Sequence, residues 1–239
     1  MIYRRGERSK IKSILKKKKP VKKDIVGILN SNVHEILNLD ERKKSIILEF
    51  AKLRKDRKRI IIWEYLLRQL NIETICEVGV RSGNNLEALR KGSPLHLVGV
   101  DSWINDGVIS RNGGNYSQDK LNGLYDYVCK RFACFENISI LRNYSCDAAK
   151  FLPDDYFDLI YIDADHTESG CWDDIISYFP KVKVGGILSG DDYVKKTTRD
   201  GVQFGVIEAV NRFVKKNHLE DVFYTFLGYE WFIIKDRSY

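Results

Sequence analysis

Carboxylates gather at two places in the sequence where short hydrophobic runs end. The first cluster contains Asp163 and Asp165, and the second contains Asp191 and Asp192. Because the carboxyl ends of neighbouring parallel strands meet at one edge of a sheet, we expect the two clusters to converge. Like charges there are costly unless a cation lies among them, and oxygen ligands suit Mg²⁺ or Mn²⁺. His166 can ligate the metal, act as a base or pack in the interior, and a solvated turn is the alternative for either acidic pair.

A second group of residues favours a nucleoside ligand. Glu77 lies at the end of a predicted strand, Gly79 and Gly83 occupy the turn that follows, and Asp101 ends the next hydrophobic run. The glycines allow a ligand to approach the backbone, but their spacing fits poorly to the pyrophosphate of a dinucleotide. Glu77 would repel phosphate and suits a cationic or hydroxyl-rich ligand, while Asp101 can accept both hydroxyls of a ribose. A plain strand–turn–helix and a surface carboxylate are the alternatives.

Alternating strand and helix patterns are expected to position these residues. Strands are predicted at residues 74–79, 95–101, 138–142, 157–163, 186–190, 222–226 and 230–235. Helices are predicted at residues 85–91, 119–133, 172–179 and 202–216. The alternation predicts an α/β fold with a doubly wound, seven-stranded, mostly parallel sheet that ends in an antiparallel hairpin.

The net charge of +7 is distributed unevenly and divides the chain into three parts. Residues 1–23 hold eleven Lys and Arg against one acid, which predicts a flexible basic arm. Residues 24–70 carry +3 and have apolar residues at helical spacing, which predicts an N-terminal helical cap. Residues 71–239 carry −6 and form the predicted main domain. An anionic partner is therefore expected for the arm alone.

Composition narrows the class of protein further. The 44% hydrophobic and 31% charged content excludes a wholly disordered chain, and no run of about 18 apolar residues predicts a transmembrane segment. Five cysteines without a Cys-x-x-Cys pair argue against a disulfide framework or a zinc ribbon. We expect reduced thiols and a cytoplasmic protein, with peripheral membrane contact through the basic arm as a further option.

Five motifs resemble those of class I S-adenosylmethionine-dependent methyltransferases, and they occur in the family's order. They are Glu77-x-Gly79-x-x-x-Gly83, Asp101, residues 145–153, Asp163-Ala164-Asp165-His166 and Gly185-Gly186…Gly190-Asp191-Asp192-Tyr193. The chain is most similar to the branch that contains macrolide-sugar O-methyltransferases and glycan-associated enzymes. The resemblance covers about residues 60–239 and implies a Rossmann-like fold.

The resemblance also implies a role for each matching residue. Seven residues would hold or approach S-adenosylmethionine: Glu77, Gly79, Gly83, Asp101, Ser145, Asp147 and Asp165. The glutamate and the glycines would line the methionine part, Asp101 would hold the ribose, and Ser145 and Asp147 would lie near the adenine. The metal ligands would be Asp163, Asp191 and Asp192. The family often has His at the position of Asp191, and Asp there favours a metal.

These roles predict metal-assisted methylation of a hydroxyl on a sugar or glycan. A divalent ion can bind two neighbouring hydroxyls and lower the pKa of one, and Asp163 or His166 can then remove its proton. A catechol-type acceptor fits the same geometry. The alternatives are a nucleic-acid methyltransferase that uses the basic arm and a cofactor-binding scaffold whose arm docks on an anionic surface. A homo-oligomer is a further candidate assembly.

Overall fold

The described part of the chain forms one seven-stranded sheet with helices on its faces. The computed structural model describes Leu67 and residues 70–92, 94–105, 116–197, 203–226 and 230–236. The basic arm and nearly all of the predicted helical cap lie outside these residues. The strands are β1 Thr74–Val78, β2 His96–Asp101, β3 Ile138–Arg142, β4 Phe157–Ile162, β5 Val182–Gly190, β6 Phe223–Phe226 and β7 Glu230–Ile234. The helices are α1 Asn84–Arg90, α2 Gln118–Phe132, α3 Ser145–Ala149, α4 Glu168–Tyr178 and α5 Val206–Lys216.

The strand order is β3-β2-β1-β4-β5-β7-β6. The pairs from β3 to β5 are parallel, and β7 is antiparallel to both β5 and β6. The predicted fold class, a mostly parallel sheet closed by a terminal hairpin, is therefore confirmed. None of the described helices is long and apolar enough to span a membrane.

Hydrophobic patterning explains why these segments become strands and helices. All five residues of β1 are buried, as expected for a central strand covered on both faces. The edge strand β3 is only partly buried. Helix α5 buries one stripe at helical spacing: Val206, Ala209, Val210, Phe213 and Val214. The core therefore lies on both faces of the sheet.

Two helix starts differ from the prediction because polar caps and glycine decide them. Helix α4 begins at Glu168 instead of residue 172, since the Thr167 hydroxyl accepts the Gly170 N–H at 3.1 Å. Its first turn has no apolar periodicity, so the pattern alone places the start too late. Helix α5 begins at Val206 instead of residue 202, after Gly205. The short helix α3 was not predicted.

A partly buried polar contact aligns the amino ends of three strands. Asp158 Oδ2 accepts the backbone N–H of Thr74 at 2.9 Å and its hydroxyl at 2.7 Å. Lys183 Nζ donates to Asp158 Oδ1 at 2.9 Å. Burial opposes ionisation of this carboxyl, but the hydrogen bonds from Lys183 and Thr74 prevail and hold the pKa of Asp158 below its usual range. This contact joins β1, β4 and β5 at the edge opposite the site.

The carboxyl ends of β1 and β4 touch at Gly79. The Asp163 N–H donates to the Val78 carbonyl at 2.7 Å, and the Gly79 N–H donates to the Val100 carbonyl at 2.8 Å. A Cβ on Gly79 would lie 2.0 Å from the Asp163 carbonyl oxygen, and the residue has φ +96°. Only glycine permits this approach. The end of β1, which carries Glu77, is thereby held against the chain that carries Asp163.

We predict that Gly79→Ala destabilises the fold by more than about 3 kcal/mol, because a clash with backbone adds to the strain of positive φ. Gly185→Ala is the matched control, since Gly185 has φ +81° and a Cβ added there would meet nothing within 4 Å. It should cost about 1–2 kcal/mol. Urea unfolding measures both free energies, and equal losses would contradict the steric explanation.

Candidate active site

A cavity of about 340 Å³ opens at the carboxyl ends of β1, β2 and β4. This volume is within the usual range for a small-molecule site. Seven of the predicted site residues line it: Glu77, Gly79, Asp101, Ser145, Asp163, Asp165 and His166. The other predicted residues, Gly83, Asp147, Asp191 and Asp192, lie outside its lining in the described part of the chain. The structure therefore joins the two predicted groups, the nucleoside residues and the first acidic cluster, in one cavity.

Asp101 is oriented by two backbone donors. Its Oδ2 accepts the Arg81 N–H at 2.7 Å, and its Oδ1 accepts the Trp103 N–H at 2.9 Å. Burial raises the pKa of Asp101, and the backbone hydrogen bonds from Trp103 and Arg81 partly oppose that rise. Each carboxylate oxygen keeps a further lone pair, so the side chain can still accept ligand hydroxyls.

Trp103 and Arg81 form part of the cavity wall. The Trp103 side chain is buried, and its Nε1 donates to the Arg81 carbonyl at 2.9 Å. Both residues have positive φ, 46° and 51°. The Arg81 guanidinium donates to the Tyr116 hydroxyl, and Lys120 Nζ lies 4.0 Å from the Tyr116 ring centroid. No sequence signal indicated these contacts, because left-handed backbone at Arg and Trp has no typical motif.

Two polar residues join the ends of the loop between β2 and α2. The Gln118 amide accepts the Asn105 N–H at 3.0 Å and donates to the Trp103 carbonyl at 2.9 Å. Asn105 donates to the Tyr116 carbonyl at 2.9 Å. These contacts hold the loop ends at the cavity rim. The intervening residues 106–115 are outside the described residues.

Three predicted cofactor residues have clear structural partners. Gly83 is the N-cap of α1, and a Cβ there would lie 2.9 Å from the Phe132 ring, so helix packing requires this glycine. Asp147 is half-exposed, and Lys150 Nζ lies 2.7 Å from its Oδ1. Asp165 Oδ1 accepts the Thr167 N–H at 2.8 Å at the start of α4.

Asp163, His166 and Asp192 form a compact cluster beside the cavity. His166 Nε2 lies 3.2 Å from Asp163 Oδ1 and 3.3 Å from Asp192 Oδ2. One ligand atom from each residue lies within 4.8 Å of the others. Burial alone would lower the pKa of His166, but the hydrogen bond to Asp163 and the charges of Asp163, Asp192 and Asp191 raise it overall. The sequence analysis named Asp191 as a ligand and ligation as one of three roles for His166, and the atoms that converge here belong to Asp163, His166 and Asp192.

The residues of the cavity wall and the acidic cluster lie in a segment that matches a known protein family. The family model described as a methyltransferase domain matches residues 76–193. This segment resembles a methyltransferase. The match spans β1 to the end of β5, and so contains the cavity wall from Glu77 to His166 and the whole acidic cluster. No curated protein sequence gives a significant match to the chain.

Solved structures share the fold of this chain. An O-methyltransferase from Bacillus cereus in complex with SAH has a TM-score of 0.53 and 15% identity, over 84% of this chain and 94% of that one. The SAH-bound Podospora anserina methyltransferase PaMTH1 has a TM-score of 0.53 and 13% identity, over 99% and 98%. The O-methyltransferase NovP has a TM-score of 0.53 and 17% identity, over 81% and 80%. At 13–17% identity these likenesses show a shared fold.

A buried carboxyl supports the wall of the cavity around Ser145. Asp174 on α4 is 1% exposed, and burial raises its pKa to about 7, with a smaller opposing hydrogen bond from Ser145 and further increases from Asp165 and Asp173. One turn along the helix, the Tyr178 hydroxyl donates to the Ser145 carbonyl at 2.9 Å. Helix α4 thus holds Ser145, which lines the cavity. Sequence reasoning missed Asp174 because its burial depends on helix packing.

We predict that Asp174 makes the fold less stable as pH rises. The folded protein binds the Asp174 proton up to about pH 7 and the unfolded chain only up to about pH 4, so the free energy of unfolding falls between these values. Asp174→Asn should remove this fall, and its stability relative to the wild type should increase from about pH 4 to about pH 8. Urea unfolding across pH measures the effect. Asp126→Asn, on the exposed face of α2, is the control, and parallel curves for wild type and Asp174→Asn would contradict the assignment.

Proposed function

We propose that the protein is an S-adenosylmethionine-dependent O-methyltransferase. The observation that carries this proposal is the single cavity in which Glu77 and Asp101 converge with the Asp163–His166 end of the acidic cluster. Bound SAH in the Bacillus cereus and Podospora anserina structures supports the same cofactor here. O-methylation is supported by the descriptions of the Bacillus cereus enzyme and NovP.

The cofactor would lie along the wall formed by the ends of β1 and β2. The Glu77 carboxylate is buried and lines the cavity, where it suits the amino group of the methionine part. Asp101 would accept the ribose hydroxyls with the lone pairs that Arg81 and Trp103 leave available. Ser145, at the start of α3, would lie beside the adenine. Gly83 and Asp147 would support this wall from outside the cavity.

Methyl transfer would proceed by in-line displacement at the methyl carbon. An acceptor oxygen forms the new C–O bond, the C–S bond breaks, and its electron pair returns to sulfur, which becomes neutral. The acceptor hydroxyl loses its proton to Asp163 or His166, since both line the cavity. The donor is already activated, so the protein contributes mainly by positioning the reactants and excluding water.

A divalent cation fits the cluster beside the cavity. Asp163 and Asp192 supply hard oxygen ligands, His166 supplies a nitrogen, and these atoms already lie within 4.8 Å of one another. The predicted ligand Asp191 adjoins Asp192 and adds negative charge to the same cluster. A bound Mg²⁺ or Mn²⁺ would lower the pKa of an acceptor hydroxyl.

The acceptor would be a sugar or glycan hydroxyl. Support comes from the similarity of the Asp-Ala-Asp-His and Gly-Asp-Asp-Tyr motifs to the macrolide-sugar branch, and from the fit of a vicinal diol to a divalent cation. A catechol presents the same pair of neighbouring oxygens and is the alternative small-molecule acceptor. The basic arm, residues 1–23, would bind an anionic surface or polyanion outside this site.

We predict that Asp101→Asn weakens SAH binding at least about tenfold. The amide nitrogen would face a backbone N–H donor and could not accept a ribose hydroxyl, a loss of about 1–3 kcal/mol. Isothermal titration with SAH measures the change. Asp126→Asn, on the exposed face of α2, is the matched control. Equal SAH affinity in wild type and Asp101→Asn would refute the ribose assignment.

We predict that Mn²⁺ binds the wild type and that the double variant Asp163→Asn, Asp192→Asn loses this binding, because two anionic ligands are removed. Electron paramagnetic resonance of free Mn²⁺ measures it, with Asp126→Asn as the control. Methyl transfer from labelled S-adenosylmethionine to a glycoside with a vicinal diol should stop in EDTA and return with Mg²⁺. Full transfer in EDTA would show that the reaction needs no metal, and transfer to a catechol alone would favour the alternative acceptor.

A further inference from the structure

The chain that follows β5 returns to the acidic cluster through a short antiparallel contact. Thr197 and Gln203 form an isolated β-bridge, and the Phe204 N–H donates to the Lys196 carbonyl at 2.9 Å. The next N–H, that of Gly205, donates to the His166 carbonyl at 2.8 Å. This geometry brings the side chain of Phe204 directly onto His166.

The Phe204 ring stacks on the His166 imidazole. The two rings are nearly parallel, with 5° between their planes and 4.7 Å between their centroids. Phe204 is 7% exposed, yet it is separate from the contiguous hydrophobic core that the sheet and helices share. Its burial is therefore explained by the contact with His166 and the loop, since it adds nothing to the main core.

No hydrogen bond within the described residues orients His166 through its second ring nitrogen. Nδ1 is buried and has no hydrogen-bond partner there. A histidine that ligates a metal usually donates this N–H to a carboxylate or carbonyl, which fixes the orientation of the ring. Here the flat face of Phe204 packs on the ring and can restrain the imidazole plane.

Lys196 extends the arrangement to the second carboxylate. Its Nζ lies 4.8 Å from the Phe204 ring centroid and 3.5 Å from Asp192 Oδ1. The same loop therefore contacts His166 through an aromatic ring and Asp192 through a cation. Gly205 seats the loop against α4, because a Cβ there would lie 2.4 Å from the Glu168 nitrogen.

We propose that Phe204 is a positioning residue that holds the His166 imidazole with Nε2 directed at Asp163 and Asp192. Its consequence for metal binding and methyl transfer rests on the proposed function, whereas the positioning itself is a property of the folded chain. Stacking on the Phe204 ring confines the His166 imidazole to one plane. Within that plane, the two carboxylates determine the direction in which Nε2 points.

Histidine-labelled protein gives a direct test that needs neither metal nor acceptor. The chain has four histidines, and His166→Gln identifies the His166 signal. In the wild type, the ring current of Phe204 should shift the His166 ring protons upfield. Phe204→Leu should abolish this shift, and Phe204→Tyr should retain it. Phe135→Leu, which removes a partly buried aromatic ring next to β3, is the control and should leave the signal unchanged. An unaltered His166 signal in Phe204→Leu would overturn the proposal.

Metal affinity provides the second readout. Phe204→Leu should weaken Mn²⁺ binding about tenfold, as loss of a supporting contact to a ligand does, and Phe204→Tyr should restore it. SAH affinity should not change, because the cofactor wall lies at β1 and β2. In the His166→Gln background, Phe204→Leu should have no further effect on Mn²⁺ binding. A further loss there would show that Phe204 acts by another route and would overturn the proposal.

The two readouts separate this inference from the proposed function. If the wild type binds no Mn²⁺ but the ring-current shift behaves as expected, the metal role fails and the positioning role stands. If Mn²⁺ binds and the shift is absent, the positioning role fails and the metal role stands. Thermal unfolding of Phe204→Leu and Phe204→Tyr verifies that both variants are folded at the temperature of measurement.

Discussion

The close contact between the chain after β1 and the chain after β4 is the constraint on which the site depends. Gly79 and the Asp163 carbonyl approach to a distance that no side chain permits. This contact brings the end of β1, with Glu77, and the acidic cluster to one cavity, although Glu77 and Asp163 are 86 positions apart in the sequence. At the opposite edge, the contacts among Thr74, Asp158 and Lys183 hold the same strands in register.

Electrostatic compensation is the second requirement of this edge. Asp163 and Asp192 approach the same imidazole nitrogen, and Lys196 lies beside Asp192. The imidazole between the two carboxylates and the ammonium group of Lys196 reduce the repulsion that converging strand ends create. The net charge of +7 does not describe the surroundings of the cluster. The basic excess lies in residues 1–70, and the domain that carries the cluster is acidic. The charge relevant to the proposed chemistry is local.

Much of the fold follows from hydrophobic patterning. Strands β1 to β4 start or end within one or two residues of the prediction, since each is a short apolar run between polar turns. The start of α4 differs because the Thr167 cap and a polar first turn determine it. The start of β5 differs because Val182–Gly185 contains only two apolar side chains before the run becomes continuous. A local polar contact such as the Thr167 cap leaves no periodic pattern of apolar residues in the sequence.

The sequence alone determined the order of strands and helices, the acidic strand ends and most residues of the candidate cavity, because these depend on residue type and spacing. The tertiary structure decided which of them meet. It placed His166 between Asp163 and Asp192, gave Gly83 and Asp147 partners outside the cavity, and brought Phe204, Trp103 and Asp174 to the site. Those contacts depend on loop return and helix packing across long sequence separations, which a local pattern does not encode.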